Sequence, residues 1–551
     1  MRPDILRRLA LVICLPGALL AFGSSSARGG PRIADSTWVD HDRQPIRRPP
    51  DWEPNYWGQQ VHEGLMQPLS HLFDIPDKLL WVARVFGADT KDQAANANAF
   101  DEAPNSAWFT NRNHRSAVPV AELKRGPYPT LFPTKPWTIK HAKQAGQSAG
   151  FQIKDADGKK WLVKLDPRGY PQLGSGADMV ARTLLHAAGY NVPHNESVRF
   201  QRGDLTIDPD LLRGAEGELF TSVDLESLLA QGAVFPDGSH SASASLFLAG
   251  HPLGSPSMNR LRPGDSNDWY THVNRRALRG LYVLFSWIND WDTKDQQFLD
   301  MFVETRDSLG HVEHYILDVG SSFGAGAEGP KAVWAGYEHT IDLKWIGRRF
   351  VSLGFAEEPW RRARQETGIP SVGRYESAVY KPQDFRQLVQ QPAGRAMTDR
   401  DGYWGAKIVA SFSNAQIAAA VDAAKYDDPR ATEFLVRNLI VRRDKIARYW
   451  FGRVAPLDFF HVEDGALRFH DLAVDIGLEP ARSYDVEVES GGGSGDRHVR
   501  LNRGHLPLAA PAHGASLLSL AISIPGNGAK AAFVDLTWRN SAWIVTRVRH
   551  G

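Results

Sequence analysis

The sequence predicts an α+β protein with a small antiparallel sheet, a larger helical region and a small β-domain towards its C-terminal end. Three short apolar stretches, 137–140, 151–155 and 160–165, have the length and pattern of strands. Asp157-Gly158 separates the last two stretches and is a strong signal for a tight hairpin turn. Because the three stretches follow one another so closely, we expect them to pair in one antiparallel sheet.

Apolar residues recur at three- and four-residue spacing after this sheet. The spacing predicts helices over 176–188, 274–288, 415–424 and 431–450. Gly189 follows the first of these segments directly, at the position where a glycine commonly ends a helix. This helix needs a sheet to cover its apolar side, so we expect 136–207 to form a small lobe against a larger helical lobe at 208–470.

Composition and turn signals divide the rest of the chain. Residues 203–270 are rich in Gly, Pro and Ser, which predicts loops with short elements. Short strands with turns begin at about residue 471 and predict a β-domain over 471–551. Residues 28–135 are predicted to be an N-terminal extension.

The overall composition is that of a globular protein with more than one core. The chain has 551 residues, of which 42% are hydrophobic and 23% are charged. Its 64 Lys and Arg residues balance 63 Asp and Glu residues, whereas a nucleic-acid-binding protein normally carries an excess of basic residues. We therefore expect no nucleic-acid partner.

The first 27 residues have the pattern of an export signal. Basic residues precede an apolar run over 9–22, and small residues at 25–27 form a predicted cleavage site. No later stretch is long and apolar enough to predict a membrane span. The single cysteine, Cys14, lies in this segment behind the bulky Ile13, which disfavours a lipoprotein but leaves that alternative open. We expect an exported protein, periplasmic or extracellular.

One set of residues follows the order that phosphoryl transfer needs. A glycine-containing turn can bring backbone N–H groups to phosphates, and Lys164 on the third strand can supply a fixed positive charge. Asp178 on the next helix can orient that lysine. Far downstream, Asp292 in a polar loop can accept a hydroxyl proton, and Asp318 in Asp-Val-Gly can hold Mg²⁺.

This layout resembles the atypical protein-kinase-like fold of toxin-module, spore-coat and secretory-pathway kinases, and the likeness covers about 136–350. More narrowly, the chain resembles a family of large exported bacterial proteins with no assigned activity. Three stretches carry the narrower resemblance: 101–112 (DEAPNSAWFTNR), 272–280 with its two adjacent arginines, and 317–324 (LDVGSSFG). The wider resemblance implies a bilobal kinase-like core.

The kinase resemblance also implies a role for each candidate residue. It implies that Lys164, Asp178, Gly146 and Gly150 bind ATP, and that Asp318 and Gln297 hold Mg²⁺. Asp292-Thr293-Lys294 resembles the start of a catalytic loop, which makes Asp292 the base and Lys294 a second catalytic residue.

Two of these positions depart from the family pattern. Asp178 stands where such folds usually have a Glu, which is one methylene longer. Gln297 stands five residues after Asp292, where an Asn is usual. Because of both departures, a catalytically inactive kinase-like protein is kept as an alternative.

The sequence therefore leaves functions of different classes open. The first is an exported phosphotransferase that uses ATP and Mg²⁺ on a hydroxyl of a protein or small molecule. The second is a catalytically inactive kinase-like envelope protein that serves as a binding or scaffolding module. Hydrolysis through Ser148 in Gly-x-Ser-x-Gly is disfavoured, because a strand rather than a helix is predicted after it.

A basic stretch near residue 275 has two interpretations. His272, Arg275, Arg276 and Arg279 begin a predicted helix. They either face a phosphate group or form a solvated helix start.

Overall fold

The structure is a computed structural model and describes residues 38–52, 92–125, 131–142, 148–213, 218–339, 343–363, 366–490, 497–511, 516–526 and 530–551. Within these ranges it is a mixed α/β fold with several sheets and eleven α-helices. The predicted export signal and Gly146 lie outside the described residues.

The described strands are numbered in chain order. They are β1 Ile46–Arg47, β2 Trp137–Ala142, β3 Gly150–Lys154, β4 Lys160–Leu165, β5 Asn195–Phe200, β6 Leu205–Ile207, β7 Leu212–Arg213, β8 Glu218–Leu219, β9 His240–Leu246, β10 His251–Gly254, β11 Phe298–Arg306, β12 Leu309–Ile316, β13 Leu457–Glu463, β14 Ala466–Asp471, β15 Tyr484–Ser490, β16 Arg497–Leu501, β17 His505–Pro507, β18 Leu517–Ser523, β19 Ala531–Arg539 and β20 Ala542–His550.

The described α-helices are numbered in the same way. They are α1 Val120–Arg125, α2 Leu173–Ala188, α3 Ser222–Leu229, α4 Arg276–Ile288, α5 Leu343–Val351, α6 Pro359–Ala363, α7 Pro392–Ala396, α8 Asp399–Ala410, α9 Asn414–Asp422, α10 Pro429–Phe451 and α11 Leu472–Asp475.

A six-stranded sheet contains the three predicted strands. Its order is β5-β9-β4-β3-β2-β6, and every pair is antiparallel except β2 with β6. Alternation along β4 buries Trp161, Val163 and Leu165 on one side, where they share a core with Leu225 of α3. Lys164 consequently projects from the opposite side of β4.

The sheet extends beyond the predicted end of the small lobe at residue 207. Strand β9 comes from the segment predicted to consist mostly of loops, yet it lies between β4 and β5. Its buried residues are small, including Ala242 and Ala244, so it lacks the bulky alternating pattern that marks most strands.

A second core joins α2 to the helices after residue 275. Gly280 of α4 allows α4 and α8 to approach closely, because a Cβ atom at this position would lie 2.4 Å from the ring of Trp404. Helix α2 contributes Met179, Val180 and Leu184 to the same core. The first of the predicted helices therefore packs on the helical region as well as beside the sheet.

The chain end forms two β-sheets with a core of their own. A three-stranded sheet has the order β13-β14-β17, and a five-stranded sheet has the order β16-β15-β18-β19-β20. Val486, Ile522 and Val534 are fully buried in the shared core. The strands begin at Leu457, before the predicted domain start at about 471.

The basic stretch at the start of α4 is neither solvated nor open to a phosphate group. Arg276 contacts Asp101 at 2.5 Å and Asp401 at 3.1 Å, and Arg279 contacts Asp401 at 3.1 Å. These four buried residues, Arg276, Arg279, Asp101 and Asp401, are called the Arg276 cluster below. Both interpretations of the basic stretch were wrong, because the acidic partners are distant in sequence. His550 at the chain end also contacts Asp101, at 2.9 Å.

No helix in the described ranges combines the length and the apolar character that crossing a bilayer requires.

Candidate functional site

Lys164 and Asp318 are 154 residues apart in sequence and meet on the side of β4 opposite to its buried apolar residues. Lys164 Nζ donates a hydrogen bond of 2.8 Å to Asp318 Oδ2. The two side chains keep 19% and 39% of their exposure, so the pair is partly open to solvent. The region around Lys164, Asp178, Asp318 and the polar loop 289–297 is called the cleft below. The contact brings the strand lysine to the carboxylate of the Asp-Val-Gly segment.

Asp178 adds a second carboxylate close to Lys164. It is buried on α2, and its Oδ2 atom accepts a 2.7 Å hydrogen bond from Asn195 Nδ2 on β5. Burial raises the pKa of Asp178 to about 6; the charge of Lys164 opposes this shift, and the charge of Asp318 adds to it. Asp178 is therefore an acidic group whose charged form is destabilised where it lies.

The charge of Lys164 is held by these carboxylates. Burial alone lowers the pKa of a lysine, but Asp318 and Asp178 outweigh that effect and raise the pKa of Lys164 above its ordinary value. Lys164 is therefore an ammonium group at neutral pH.

Asp166 fixes helix α2 relative to β4. Its carboxylate accepts hydrogen bonds from the backbone N–H groups of Gly174 and Ser175, both at 2.7 Å, and from the hydroxyl of Ser241. It therefore satisfies donors that the first turn of a helix leaves unpaired. Since Asp166 is two residues after Lys164, this contact sets the position of Asp178 relative to the lysine.

The Asp-Val-Gly segment lies against the first turn of α2 at Gly320, at ordinary van der Waals distances. A Cβ atom at this position would lie 3.7 Å from the carbonyl oxygen of Gly174 and 3.9 Å from Asp178. The backbone N–H of Gly320 also donates to Asp318 Oδ1 at 3.2 Å, which orients that carboxylate.

The polar loop after α4 lies close to Asp318. Asn289 ends the helix in the left-handed conformation, with φ of 54°. Asp290 is buried and accepts a 3.1 Å hydrogen bond from Ser321 Oγ. Burial raises the pKa of Asp290 well above its ordinary value; Lys331 opposes the shift, while Asp292 and Asp318 add to it. Asp290 therefore links the loop to the Asp-Val-Gly segment.

Asp292 is the more accessible carboxylate of this loop. Lys294 Nζ lies 3.1 Å from Asp292 Oδ1, and the two side chains keep 19% and 21% of their exposure. An incoming hydroxyl group can therefore reach Asp292, whereas Asp290 is closed off.

Neighbouring segments hold the loop in place. Trp291 Nε1 donates to the carbonyl of Glu338 at 3.2 Å, and the carbonyl of Trp291 accepts from Leu388 N–H at 2.8 Å. Lys331 lies over the Trp291 ring, with Nζ 4.7 Å from its centroid. Burial lowers the pKa of Lys331, against the opposing charges of Asp292 and Asp290.

Gln297 is tied to Asp318 through the backbone. Its carbonyl accepts from Leu317 N–H at 2.7 Å, one residue before Asp318. The two predicted metal-binding residues are therefore neighbours. The described residues contain no group of three or more His, Cys, Asp or Glu side chains arranged to hold a metal ion. Mg²⁺ usually binds through only one or two protein groups together with substrate phosphates, so the Asp318 carboxylate is compatible with such a site.

Gly150 has a packing role that the sequence did not suggest. It pairs directly opposite Lys164, and a Cβ atom there would lie 2.3 Å from the carbonyl oxygen of Val163. Its predicted contact with phosphate stays a prediction. Ser148 stands immediately before β3, so the strand-to-helix turn of a hydrolase nucleophile is not formed.

Three further residues of the site were missed from the sequence. Asp290 could have been singled out because it lies two residues before Asp292 in the same polar run. Asp166 was harder to recognise, because its sequence shows only an acidic residue between a predicted strand and a predicted helix. Lys331 follows no local pattern, and only the fold brings it to Trp291.

Comparison with known proteins finds loose structural likenesses among solved structures. No protein-family model and no curated protein matches the chain. Among solved structures, the crystal structure of the Helicobacter pylori proinflammatory kinase CtkA matches with 12% identity and a TM-score of 0.31. The match covers 59% of this chain and 98% of that one. A likeness of this size assigns neither activity nor ligand to this chain.

Proposed function

We propose that the chain is a phosphotransferase that binds ATP with Mg²⁺ and transfers a phosphoryl group to a hydroxyl acceptor. The observation that carries the proposal is the 2.8 Å contact between Lys164 and Asp318, with Asp178 beside it. A strand lysine, an acidic residue on the following helix and an Asp-x-Gly carboxylate are the parts that protein kinases bring together.

Each residue of the cleft has a role in this proposal. Lys164 binds the phosphates, and Asp178 keeps its ammonium group in place. Asp318 and Gln297 are the residues that hold Mg²⁺, which when bound supplies positive charge that offsets the charge of the transferring phosphoryl group. Gly146 and Gly150 flank the turn that covers the phosphates.

The polar loop supplies the remaining chemistry. Asp292 Oδ accepts the proton of the acceptor hydroxyl, and Lys294 lies against the same carboxylate. Asp290 acts as a positioning residue, because its contact with Ser321 joins the loop to the Asp-Val-Gly segment.

The location and the acceptor are part of the proposal. Residues 1–27 direct the chain out of the cytoplasm, to the periplasm or the exterior. The acceptor is a protein or a small molecule with a hydroxyl group. An exported phosphotransferase of this kind requires ATP outside the cytoplasm, where ATP is scarce.

The test uses two carboxylate variants, one expected to lose phosphoryl transfer and the other expected to lose Mg²⁺-dependent binding. Asp292→Asn is expected to bind ATP with Mg²⁺ as wild type does, but to lose transfer by about 10²–10⁴-fold, because a base acts in the chemical step. Asp318→Asn is expected to lose the Mg²⁺-dependent part of binding. Binding is measured by calorimetry, and transfer by the appearance of ADP and of label from γ-labelled ATP.

A second function, an inactive kinase-like binding module, is favoured by one observation. Asp178 is hydrogen-bonded to Asn195, while Lys164 pairs with Asp318. If wild type binds nucleotide without transfer and Gln297→Asn restores none, the module is the better description. If wild type binds no nucleotide at all, the phosphotransferase proposal is wrong.

A further inference from the structure

Five large apolar side chains project into solvent from one short stretch of the chain. Their exposed fractions are 51% for Ile346, 82% for Phe350, 84% for Val351, 85% for Leu353 and 89% for Phe355. Single exposed apolar residues are ordinary, but a contiguous group of them marks a binding surface. This group, at the end of α5 and in the turn after it, is called the α5 surface.

The turn that carries these side chains is well defined. The backbone N–H of Ala356 donates to Ser352 Oγ at 3.0 Å, and the N–H of Gly354 donates to the carbonyl of Arg349 at 2.8 Å. Leu353 has a positive φ of 50°, a conformation that a bulky residue rarely adopts. Leu353 therefore has an unfavourable backbone conformation, and its apolar side chain is exposed to water.

The charge around the α5 surface is positive. Residues 343–363 contain five basic residues and the acidic residues Glu357 and Glu358, and Glu338, which pairs with Arg361, lowers the excess to two positive charges. The two acidic residues are already paired, Glu358 with Arg348 and Glu357 with Arg362. The guanidinium groups of Arg349 and Arg361 each lie 4.7 Å from the ring centroid of Trp345.

We propose that the α5 surface binds an anionic phospholipid bilayer. A helix and turn that combine Phe, Leu and Trp side chains with Arg residues have the composition of interfacial membrane-binding segments. The positive charge of this segment complements acidic headgroups. This proposal is independent of the phosphotransferase assignment.

The shape of the α5 surface favours a bilayer over a second copy of the chain. Side chains exposed by 82–89% have few neighbours and stand out from the surface, rather than forming a flat patch. Such projecting side chains can insert into a fluid lipid layer without a complementary pocket, whereas a stable protein interface needs close shape complementarity.

Contacts of α6 connect the segment after the α5 surface to the polar loop of the cleft. Arg361 pairs with Glu338 at 3.1 Å, and Trp360 stacks on Tyr337 with ring centroids 4.9 Å apart. The carbonyl of Glu338 accepts the hydrogen bond from Trp291, between Asp290 and Asp292. Helix α6, which follows the α5 surface in the chain, is therefore two contacts away from the polar loop.

The first experiment measures sedimentation of the full chain with vesicles. Wild type is expected to bind vesicles that contain phosphatidylglycerol more tightly than vesicles of phosphatidylcholine alone, and salt is expected to weaken the binding. Phe350→Ser with Phe355→Ser is expected to weaken binding by about tenfold or more, since it removes two inserted aromatic rings. The control, Val223→Ser, changes a side chain exposed by 72% on α3 and should bind as wild type does.

A dye attached at the α5 surface distinguishes vesicle binding by this surface from vesicle binding by the apolar run over 9–22. In a Cys14→Ser background, Leu353→Cys is labelled with a polarity-sensitive dye, and Val223→Cys serves as the matched site. Blue-shifted emission at position 353 but not at 223, on addition of phosphatidylglycerol vesicles, supports the proposal. No shift at 353, or equal vesicle binding by wild type and the double variant, would overturn it. So would self-association of wild type that the double variant abolishes, since a second copy would then cover the surface.

Discussion

The Arg276 cluster and the cleft around Lys164 both bring acidic and basic side chains together, but the pKa values of their carboxyl groups shift in opposite directions. The pKa of Asp101 in the cluster is lowered, whereas the pKa values of Asp178 and Asp290 in the cleft are raised. In the Arg276 cluster, burial alone raises the pKa of Asp101, yet Arg276, His550 and Arg400 outweigh it and hold the pKa well below its ordinary value. The pKa of Arg276 is raised, because its acidic partners outweigh burial. Each group in that pair is therefore stabilised in its charged form.

In the cleft, Lys164 is held in its charged form, but three neighbouring groups are not. Burial raises the pKa of Asp178 to about 6 and that of Asp290 well above its ordinary value, while it lowers the pKa of Lys331. Each of these shifts favours the neutral form. Clustered titratable groups with such shifts are typical of functional sites, whereas breaking a buried pair of opposite charges is strongly destabilising.

The largest expected effect comes from breaking the Arg276 cluster. Arg276→Met leaves Asp101 and Asp401 without one of their partners in a buried site, which is expected to lower the free energy of unfolding by about 3–5 kcal/mol. The measurement is urea unfolding followed by circular dichroism. Arg430→Met, which removes an exposed pair with Asp428, is the control and should leave the midpoint unchanged. An Arg276→Met protein as stable as wild type would show that the cluster does not maintain the fold.

A smaller effect of opposite sign is expected in the cleft. The pKa of Asp178 rises from 3.8 to about 6 on folding, so the folded state binds more protons between these values. Wild-type stability should therefore fall as pH rises through this window, by up to about 3 kcal/mol. Asp178→Asn does not titrate and should be more stable than wild type at about pH 8, with the difference vanishing near pH 4.

Unfolding of both proteins across this pH range checks the sign of the effect. Asn keeps an oxygen that can accept the hydrogen bond from Asn195, so packing changes little. A variant less stable than wild type at high pH would mean that the charged form of Asp178 is well paired, as in the Arg276 cluster.

The smallest effect on stability is expected at the lysine itself. Lys164→Met removes an ion pair whose partners are 19% and 39% exposed, and Asp318 can then be hydrated. The free energy of unfolding should change by less than about 1 kcal/mol at about pH 5, where Asp178 is mostly neutral and does not need the charge of Lys164. A loss comparable to that of Arg276→Met, measured in the same urea titration, would place Lys164 among the groups that maintain the fold.

The sequence predicted those parts of the fold that depend on local patterns. Strand β4 has the predicted bounds, because Trp161, Val163 and Leu165 alternate with less buried residues. Helix α2 ends at Ala188, before the predicted glycine. Strand β9 was missed, since its small Ser and Ala residues give no strong signal of a buried strand.

Contacts between distant segments were harder to predict. The partners of Arg276 lie 175 and 125 residues away, and no local pattern around Arg276 distinguishes a buried ion pair from a solvated one. The approach of Lys164 to Asp318 could be expected only from the kinase resemblance, because spacing alone does not fix which segments meet. The polar run around Asp292 was recognisable, but its burial, which sets Asp290 apart from Asp292, depends on the whole fold.

Nucleotide-dependent stabilisation of wild type and Lys164→Met tests the central claim most directly. A ligand that binds the folded state stabilises it by about 2.7 kcal/mol at one hundred times its dissociation constant. We expect ATP with Mg²⁺ to raise the melting temperature of wild type and to leave that of Lys164→Met almost unchanged. No shift of wild type with ATP, ADP or GTP and either Mg²⁺ or Mn²⁺, or an equal shift in both proteins, would contradict a nucleotide site at Lys164.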